Sequence, residues 1–401
     1  MHFTFSNDSV AERIDMIENL ISSECYFKKI REHEHVVCFG AGSKARQTLP
    51  LLRANGIKPS VFCDNNSDLW GSDFESGLKI IPPSDLRKYY QDYCIVITAA
   101  SGSAFTIRQD LLGHGETCDV YHIANPFKVE DAFLTWETIT NNFDEFKHTE
   151  SLFADNESQE LFTVFLEWKM TGNIFPLYDR FAHPKQDSFF DPSLIYSSAD
   201  HIYIDVGSYT GDTIMQFLLF SGGHYKQIIG FDPYANNCAA ARDFVRYSRM
   251  ENIEIRERGL WSKHEKRILY TIGGCNGEDY GNPNFYCHIS HMADHQTRQR
   301  LSVVGERLEE KVIHTLDEEL DGIVPTILKI NALAADQEVL KGGRETISRH
   351  RPIIVMEYGC KMDYILETPK LLLSLCQNYK LYLRQIWVFD DCKTVLYAIP
   401  S

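Results

Sequence analysis

His201-Ile-Tyr-Ile-Asp-Val-Gly-Ser-Tyr-Thr-Gly-Asp-Thr213 decides how this chain is read. Its first residues make a short apolar strand ending in an acid. A glycine-bearing turn follows, and then the opening of a helix. Asp205, Gly207 and Gly211 fall in the order D-x-G-x-x-x-G. A second strand, Gln227-Ile-Ile-Gly-Phe-Asp232, also ends in a carboxylate. Small residues in such a turn let backbone approach a ligand closely, and a carboxylate at the second strand end is placed to accept hydrogen bonds from two ribose hydroxyls. A dinucleotide turn would read G-x-G-x-x-G after an apolar strand end. Here the acid precedes the first glycine, which suits a ligand carrying an ammonium and a sulfonium rather than a pyrophosphate.

Outward from that turn the alternation continues. Further strands are expected near 253–257, 326–331, 352–357, 381–388 and 394–398, giving seven over residues 199–401 with the last two as an antiparallel pair. Toward the N-terminus, residues 1–30 are assigned to a leading helix on the spacing of Val10, Ile14, Ile17, Leu20 and Ile21. His35-Val-Val-Cys-Phe-Gly40 then reads as a buried strand entering Gly40-Ala-Gly42-Ser-Lys-Ala45. A strand at 59–64 ends in Asp64, and another covers 94–98. Alternating strands and helices over 31–128 predict a small Rossmann-like domain. Residues 129–198, aromatic and acidic at helical spacing, are expected to form a helical connector capping the second domain. The fold class is therefore α/β, with two doubly wound Rossmann-like domains and a seven-stranded C-terminal sheet.

Composition narrows the function. The 401 residues carry a formal net charge of −16 and no long basic run, which disfavours nonspecific contact with nucleic acid or an anionic membrane. No apolar run reaches the ~18 residues of a membrane span. The start lacks the basic and apolar regions of a signal peptide, so the cytoplasm is the expected compartment. Eleven cysteines are scattered without a C-x-x-C pair, which argues for reduced core thiols. No metal is expected.

Set in order, the motifs of residues 185–400 resemble the FkbM-type methyltransferases. The matching stretches are Ile204-Asp-Val-Gly-Ser-Tyr-Thr-Gly-Asp-Thr213, Gly230-Phe-Asp-Pro233, Thr315-Leu-Asp317, Leu328-Lys-Ile-Asn331, Glu338-Val-Leu-Lys-Gly342 and Arg351-Pro-Ile-Ile-Val-Met-Glu357. The resemblance implies methyl transfer from S-adenosylmethionine to an oxygen, commonly a sugar hydroxyl. It places Asp205, Gly207, Ser208, Tyr209, Gly211, Asp212, Thr213, Asp232 and Pro233 around the cofactor, with Gly259 and Leu260 at the adenine. Asp205 would sit near the methionine ammonium. Asp212 and Thr213 either touch the ligand or cap the helix that they open.

One departure stands out. The family has Asp at the fourth strand end, then Glu and Gly two and three positions on. This chain reads Asn331-Ala-Leu333-Ala334. An amide can orient a substrate but cannot serve as a general base. The candidates facing the acceptor are Asn331, Glu357, Asp336 and His291. His291 lies between His288 and His295 at spacings that would put all three on one helical face, with Cys287 beside them. The acceptor is expected to be a small molecule or glycan, nucleotide-sugars included, and a homo-oligomer is left open.

The N-terminal turn has its own reading. Gly40, Gly42 and Ser43 fit a dinucleotide turn and Asp64 a ribose acid. Val61-Phe-Cys-Asp-Asn-Asn66, Leu69-Trp-Gly71 and Ile80-Ile-Pro-Pro-Ser84 are similar to small domains that precede sugar-modifying enzymes and bind a nucleotide or nucleotide-sugar. Three functions follow. The first is an O-methyltransferase; the second is a binding protein whose altered site holds cofactor without turnover. The third, a nicotinamide-dependent oxidoreductase, lacks the Tyr-x-x-x-Lys pair it would need.

Overall fold

A computed structural model describes residues 23–75, 77–89, 92–124, 133–181, 187–272, 286–289, 307–332, 335–388 and 391–401. The described chain divides into two compact units. One is drawn from Met1–Ser151, Asn156–Gln186 and Gln385–Lys393, the other from Leu152–Asp155, Asp187–Arg384 and Thr394–Ser401.

The first unit is built on five parallel strands: β1 (His35–Phe39), β2 (Val61–Cys63), β3 (Ile80–Ile81), β4 (Tyr93–Ile97) and β5 (Val120–His122). Their spatial order, β3-β2-β1-β4-β5, reverses direction between β1 and β4. Val37, Cys38, Phe62, Cys94, Ile95 and Val96 are fully buried, as near-continuous apolar runs must be when helices cover both faces of a parallel sheet. Helices α1 (Ser23–Arg31), α2 (Ser43–Ala54) and α3 (Ser101–Gly113) accompany them. Buried Phe27, Ile30, Leu49 and Leu52 join the strand side chains in one core. Of the leading helix expected over 1–30, only α1 falls on described residues.

The described connector is largely helical, and its residues divide between the two units. Helices α4 (Asn156–Thr171) and α5 (Phe175–Phe181) group with the first unit. The Leu134 amide donates to the Lys169 carbonyl, and the Ala124 amide to that of Gly172. His122, at the end of β5, seals this junction. Its Nδ1 accepts from the Ile174 amide at 3.3 Å, so its Nε2–H faces the Ala99 carbonyl at 3.1 Å. Burial lowers its pKa to about 4, which keeps the ring neutral.

The second unit holds a seven-stranded sheet: β6 (Ile202–Val206), β7 (Gln227–Asp232), β8 (Ile253–Glu257), β13 (Ile327–Ile330), β14 (Ile353–Glu357), β15 (Tyr379–Val388) and β16 (Asp391–Pro400). The order across it is β15-β16-β14-β13-β6-β7-β8. β16 runs antiparallel to β14, while β8, β7, β6, β13 and β14 are mutually parallel. Helices α6 (Asp212–Ser221), α7 (Ala235–Ser248), α8 (Leu316–Glu319), α9 (Asp336–Gly342), α10 (Arg344–His350) and α11 (Tyr364–Leu375) connect these strands or precede them. Phe189 and Phe190 are buried beside α6, where Phe190 meets Tyr203 and Phe217 edge-on.

A second sheet interrupts this scheme between β8 and α8. It comprises β9 (Gly259–Leu260), β10 (Glu265–Ile272), β11 (Tyr286–Ile289) and β12 (Arg307–His314), in the order β11-β10-β12-β9. The helical face proposed for His288, His291 and His295 fails at its first member. His288 lies in β11, paired antiparallel with Tyr270. His291 and His295 fall outside the described residues. Strand residues alternate sides of a sheet, so a spacing of three or four carries no shared face there.

Candidate functional site

In open α/β sheets, ligands gather at the C-terminal strand ends where the strand order reverses. In the second unit that point lies between β6 and β13, and the sequence places two charges there. Asp205 of β6 is directly in register with Lys329 of β13. Both are essentially inaccessible, at 0% and 1% exposure. Lys329 Nζ lies 2.8 Å from Asp205 Oδ1 and also donates to the Gly207 carbonyl at 2.9 Å. The Thr213 hydroxyl donates to Asp205 Oδ2 at 2.5 Å.

This geometry corrects three expectations. Asp205 does not turn a carboxylate toward a ligand ammonium. Its charge is met by Lys329 and Thr213, and the trio holds the turn from beneath. Thr213 does not cap α6; the N-cap is Gly211, in a left-handed conformation with no side-chain cap bond. Gly207 is small for the protein's own sake. Its φ is +74°, and a Cβ there would stand 2.0 Å from the Asn331 carbonyl oxygen. The close approach is to the end of β13.

Above this base the turn is tied to β7. The Gly207 and Ser208 amides both donate to the Phe231 carbonyl, at 2.9 and 3.0 Å. Tyr209 takes a left-handed φ of 46°, rare for a side chain of its size, and its amide reaches Asp232 Oδ2 at 3.2 Å. Asp232 Oδ1 accepts from the Tyr234 amide at 2.9 Å and from Asn237 Nδ2 at 3.1 Å. Burial pushes the Asp232 carboxyl up to about 7, against the pull of these donors. A carboxylate offers about four acceptor positions, so three donors leave capacity for a hydroxyl. Ser208 is fully buried, its Oγ without a partner among the described residues, and it sits against Gly230, where a Cβ would come within 3.0 Å of Ser208 Cβ. Asp212 is half-buried in the first turn of α6 and Pro233 half-buried after Asp232.

Beyond Asp232 the chain enters β9. The Arg258 amide donates to the Asp232 carbonyl at 3.0 Å. Gly259 and Leu260 are buried and pair with Ile313 and His314 of β12. Asn331 follows β13 and Glu357 ends β14, both with partial exposure. Asp336 is 2% exposed, and its Oδ1 accepts the Ala332 amide at 2.8 Å. Its pKa is raised by burial first and by the Glu357 charge second. Asp336 therefore holds the Asn331–Ala332 backbone in place and is not presented as a base. Leu333 and Ala334 lie outside the described residues.

The first unit repeats the turn at its own reversal point. The Gly40 amide donates to the Cys63 carbonyl at 2.8 Å, and the Ala41 amide to Asp64 Oδ2 at 2.7 Å. Asp64 Oδ1 accepts the Asn66 amide at 2.8 Å. Thr98, just past β4, donates its hydroxyl to the Gly40 carbonyl at 2.8 Å. Gly42 caps α2, Ser43 begins it, and a Cβ at Gly42 would meet nothing within 4 Å.

Reading from motifs named the turn residues but missed Lys329, Asn237 and Thr98. Lys329 did leave a signal. A lysine inside Ile327-Leu-Lys-Ile330 interrupts a strand otherwise fit for burial on both faces. A buried ammonium has to be paired.

Strand order and turn together give the second unit the fold of a class I methyltransferase. No family model matches the chain, and no curated protein matches it. Among solved structures, the FkbM methyltransferase of Methylobacillus flagellatus KT is similar over 98% of this chain and 98% of its own. That likeness has a TM-score of 0.66 at 16% identity, and it establishes the fold. Precorrin-6y C5,15-methyltransferase of Geobacter metallireducens GS-15 aligns with 56% of this chain and 95% of its own, at 10% identity and a TM-score of 0.30. Fibrillarin of Aeropyrum pernix, solved with natively bound S-adenosyl-L-methionine, aligns with 51% of this chain and 67% of its own, at 12% identity and a TM-score of 0.30.

Proposed function

We propose that the protein is an S-adenosylmethionine-dependent O-methyltransferase acting on a sugar hydroxyl or a nucleotide-activated glycan precursor. The observation carrying this reading is Asp232. It is a buried carboxylate at the second strand end, tied to the Tyr209 amide of the Gly207–Gly211 turn, with acceptor capacity to spare. The residues fit a ribose there. Asp232 would accept its hydroxyls, the turn from Ser208 to Gly211 would line the cofactor's amino-acid end, and Gly259 and Leu260 would flank the base. The ammonium falls to groups other than Asp205, whose charge Lys329 has met. When bound, the cofactor supplies an electrophilic methyl, and alignment of an acceptor oxygen provides much of the rate in such transfers. Asn331 would orient that oxygen, with the partly exposed Glu357 as the candidate for its proton.

A second reading is favoured by the β13 end itself. Asn331 cannot take a proton, and Asp336 is committed to the Ala332 amide. On this view the unit binds cofactor without turnover. Turnover with candidate sugar acceptors, measured for the native chain and for the triple substitution Asn331→Asp, Leu333→Glu and Ala334→Gly, separates the two. Activity in the native chain supports the enzyme, and activity only after restoration supports the binder. For the first unit, binding of a nucleotide or nucleotide-sugar by Gly40, Gly42, Ser43 and Asp64 is supported by the open space at Gly42. It is also supported by the first turn of α2, which carries no acid that would repel a phosphate.

A further inference from the structure

The second sheet returns to the main one at β12 and α8, and three metal-ligating side chains meet there. His264 lies in the turn between β9 and β10, His314 ends β12, and Glu318 is in α8. One donor atom from each lies within 4.8 Å of the others. We infer that His264, His314 and Glu318 form a binding site for a divalent transition metal of the zinc type.

The geometry is close to what such an ion requires. Ligand atoms about 2.0–2.1 Å from a tetrahedral zinc stand roughly 3.3 Å from one another. His264 Nδ1 and Glu318 Oε2 are 3.3 Å apart. The His264 and His314 rings lie 4.6 Å apart between centroids, and His264 is half exposed. The other two ligands are already held. Glu318 belongs to a capping box, its Oε2 accepting the Thr315 amide at 3.1 Å while its own amide donates to Thr315 Oγ1. His314 Nδ1 lies 3.4 Å from Glu319 Oε1. Arg258 holds that carboxylate at 3.2 Å and Arg256 at 3.5 Å. A carboxylate on one imidazole nitrogen orients the ring and leaves the other nitrogen's lone pair for a metal. Two imidazoles with one carboxylate select zinc and its neighbours over magnesium or calcium, which take oxygen ligands.

The ion would fasten the His264 turn to the β12–α8 junction. This is the seam where Leu260 pairs with His314 and the Trp261 amide donates to the His314 carbonyl at 2.8 Å. The site would thus brace the Gly259–Leu260 segment, and it stands independently of what the Asp232 site binds.

The test is calorimetric titration of chelator-treated full-length protein with zinc chloride, and with magnesium chloride for comparison. One equivalent of zinc should bind at micromolar or tighter affinity, with no magnesium binding at the same concentration. His264→Ala with His314→Ala should abolish it. Glu318→Gln keeps the cap, which glutamine also satisfies, and should weaken binding at least about tenfold. The metal-free variants should keep the wild-type circular dichroism. Absence of stoichiometric binding, or binding unchanged in Glu318→Gln and in the double variant, would overturn the site.

Discussion

The chain carries two versions of one turn, and their difference separates what the fold imposes from what a site adds. In each unit the residue after the first strand is a glycine at positive φ, Gly40 at +103° and Gly207 at +74°. Each glycine amide donates to the residue before the second-strand acid. In each, a turn amide 23 positions earlier donates to that acid, Ala41 to Asp64 and Tyr209 to Asp232. A side chain from the fourth strand or its end donates to the glycine carbonyl. In the first unit that donor is the Thr98 hydroxyl, in the second the Lys329 ammonium. The turn and its acid are thus a property of the fold. The buried Asp205–Lys329 pair is particular to the second unit.

The comparison breaks most visibly at the glycines. Gly207→Ala drives a methyl into the Asn331 carbonyl, and should cost more than about 4 kcal/mol, at the far end of single substitutions. Gly40→Ala has its nearest neighbour at 3.5 Å, and should cost only the ~1–2 kcal/mol of a left-handed residue. Gly42→Ala meets nothing and should stay within about 0.5 kcal/mol of wild type. Urea melts of the three variants give this ranking directly.

Next come the fourth-strand donors. Lys329→Met leaves Asp205 charged and unpaired at zero exposure, a loss of about 3–5 kcal/mol. Thr98→Val removes one neutral hydroxyl and should cost about 1 kcal/mol. Equal losses by thermal melting would mean that the ion pair adds nothing to the turn.

The smallest effect is in pH. The Asp232 carboxyl, raised to about 7 by burial, stabilises the folded state most below the ordinary carboxylate range. That contribution is lost as pH rises through about 7, because the folded protein holds the proton more tightly than the unfolded chain. Hydroxyl donors prefer the ionised form, so cofactor affinity should run the other way. It should rise about tenfold between roughly pH 6 and pH 8, with proton release on binding. A flat profile would mean that the ribose does not rest on Asp232.

Much of this was legible in the sequence because parallel strands buried on both faces leave apolar runs. β6, β7, β13 and β14 stood out that way, each ending near a turn or an acid. The β9–β12 sheet did not. Its described stretches, such as Glu265-Lys-Arg-Ile268 and Arg307-Leu-Glu-Glu-Lys311, are highly charged, and the histidine spacing nearby imitated a helix. The site was legible only as a list of residues. Which of them face a ligand and which hold the turn depends on the register of Asp205 against Lys329. Those two are 124 positions apart in the chain, and no local pattern joins them.

The most direct test is calorimetric titration with S-adenosylmethionine of three proteins: wild type, Asp232→Asn and Asp64→Asn. The account predicts micromolar binding to wild type, its loss in Asp232→Asn and no change in Asp64→Asn. Binding that survives Asp232→Asn, or that disappears in Asp64→Asn, would contradict the assignment of the cofactor to the second turn.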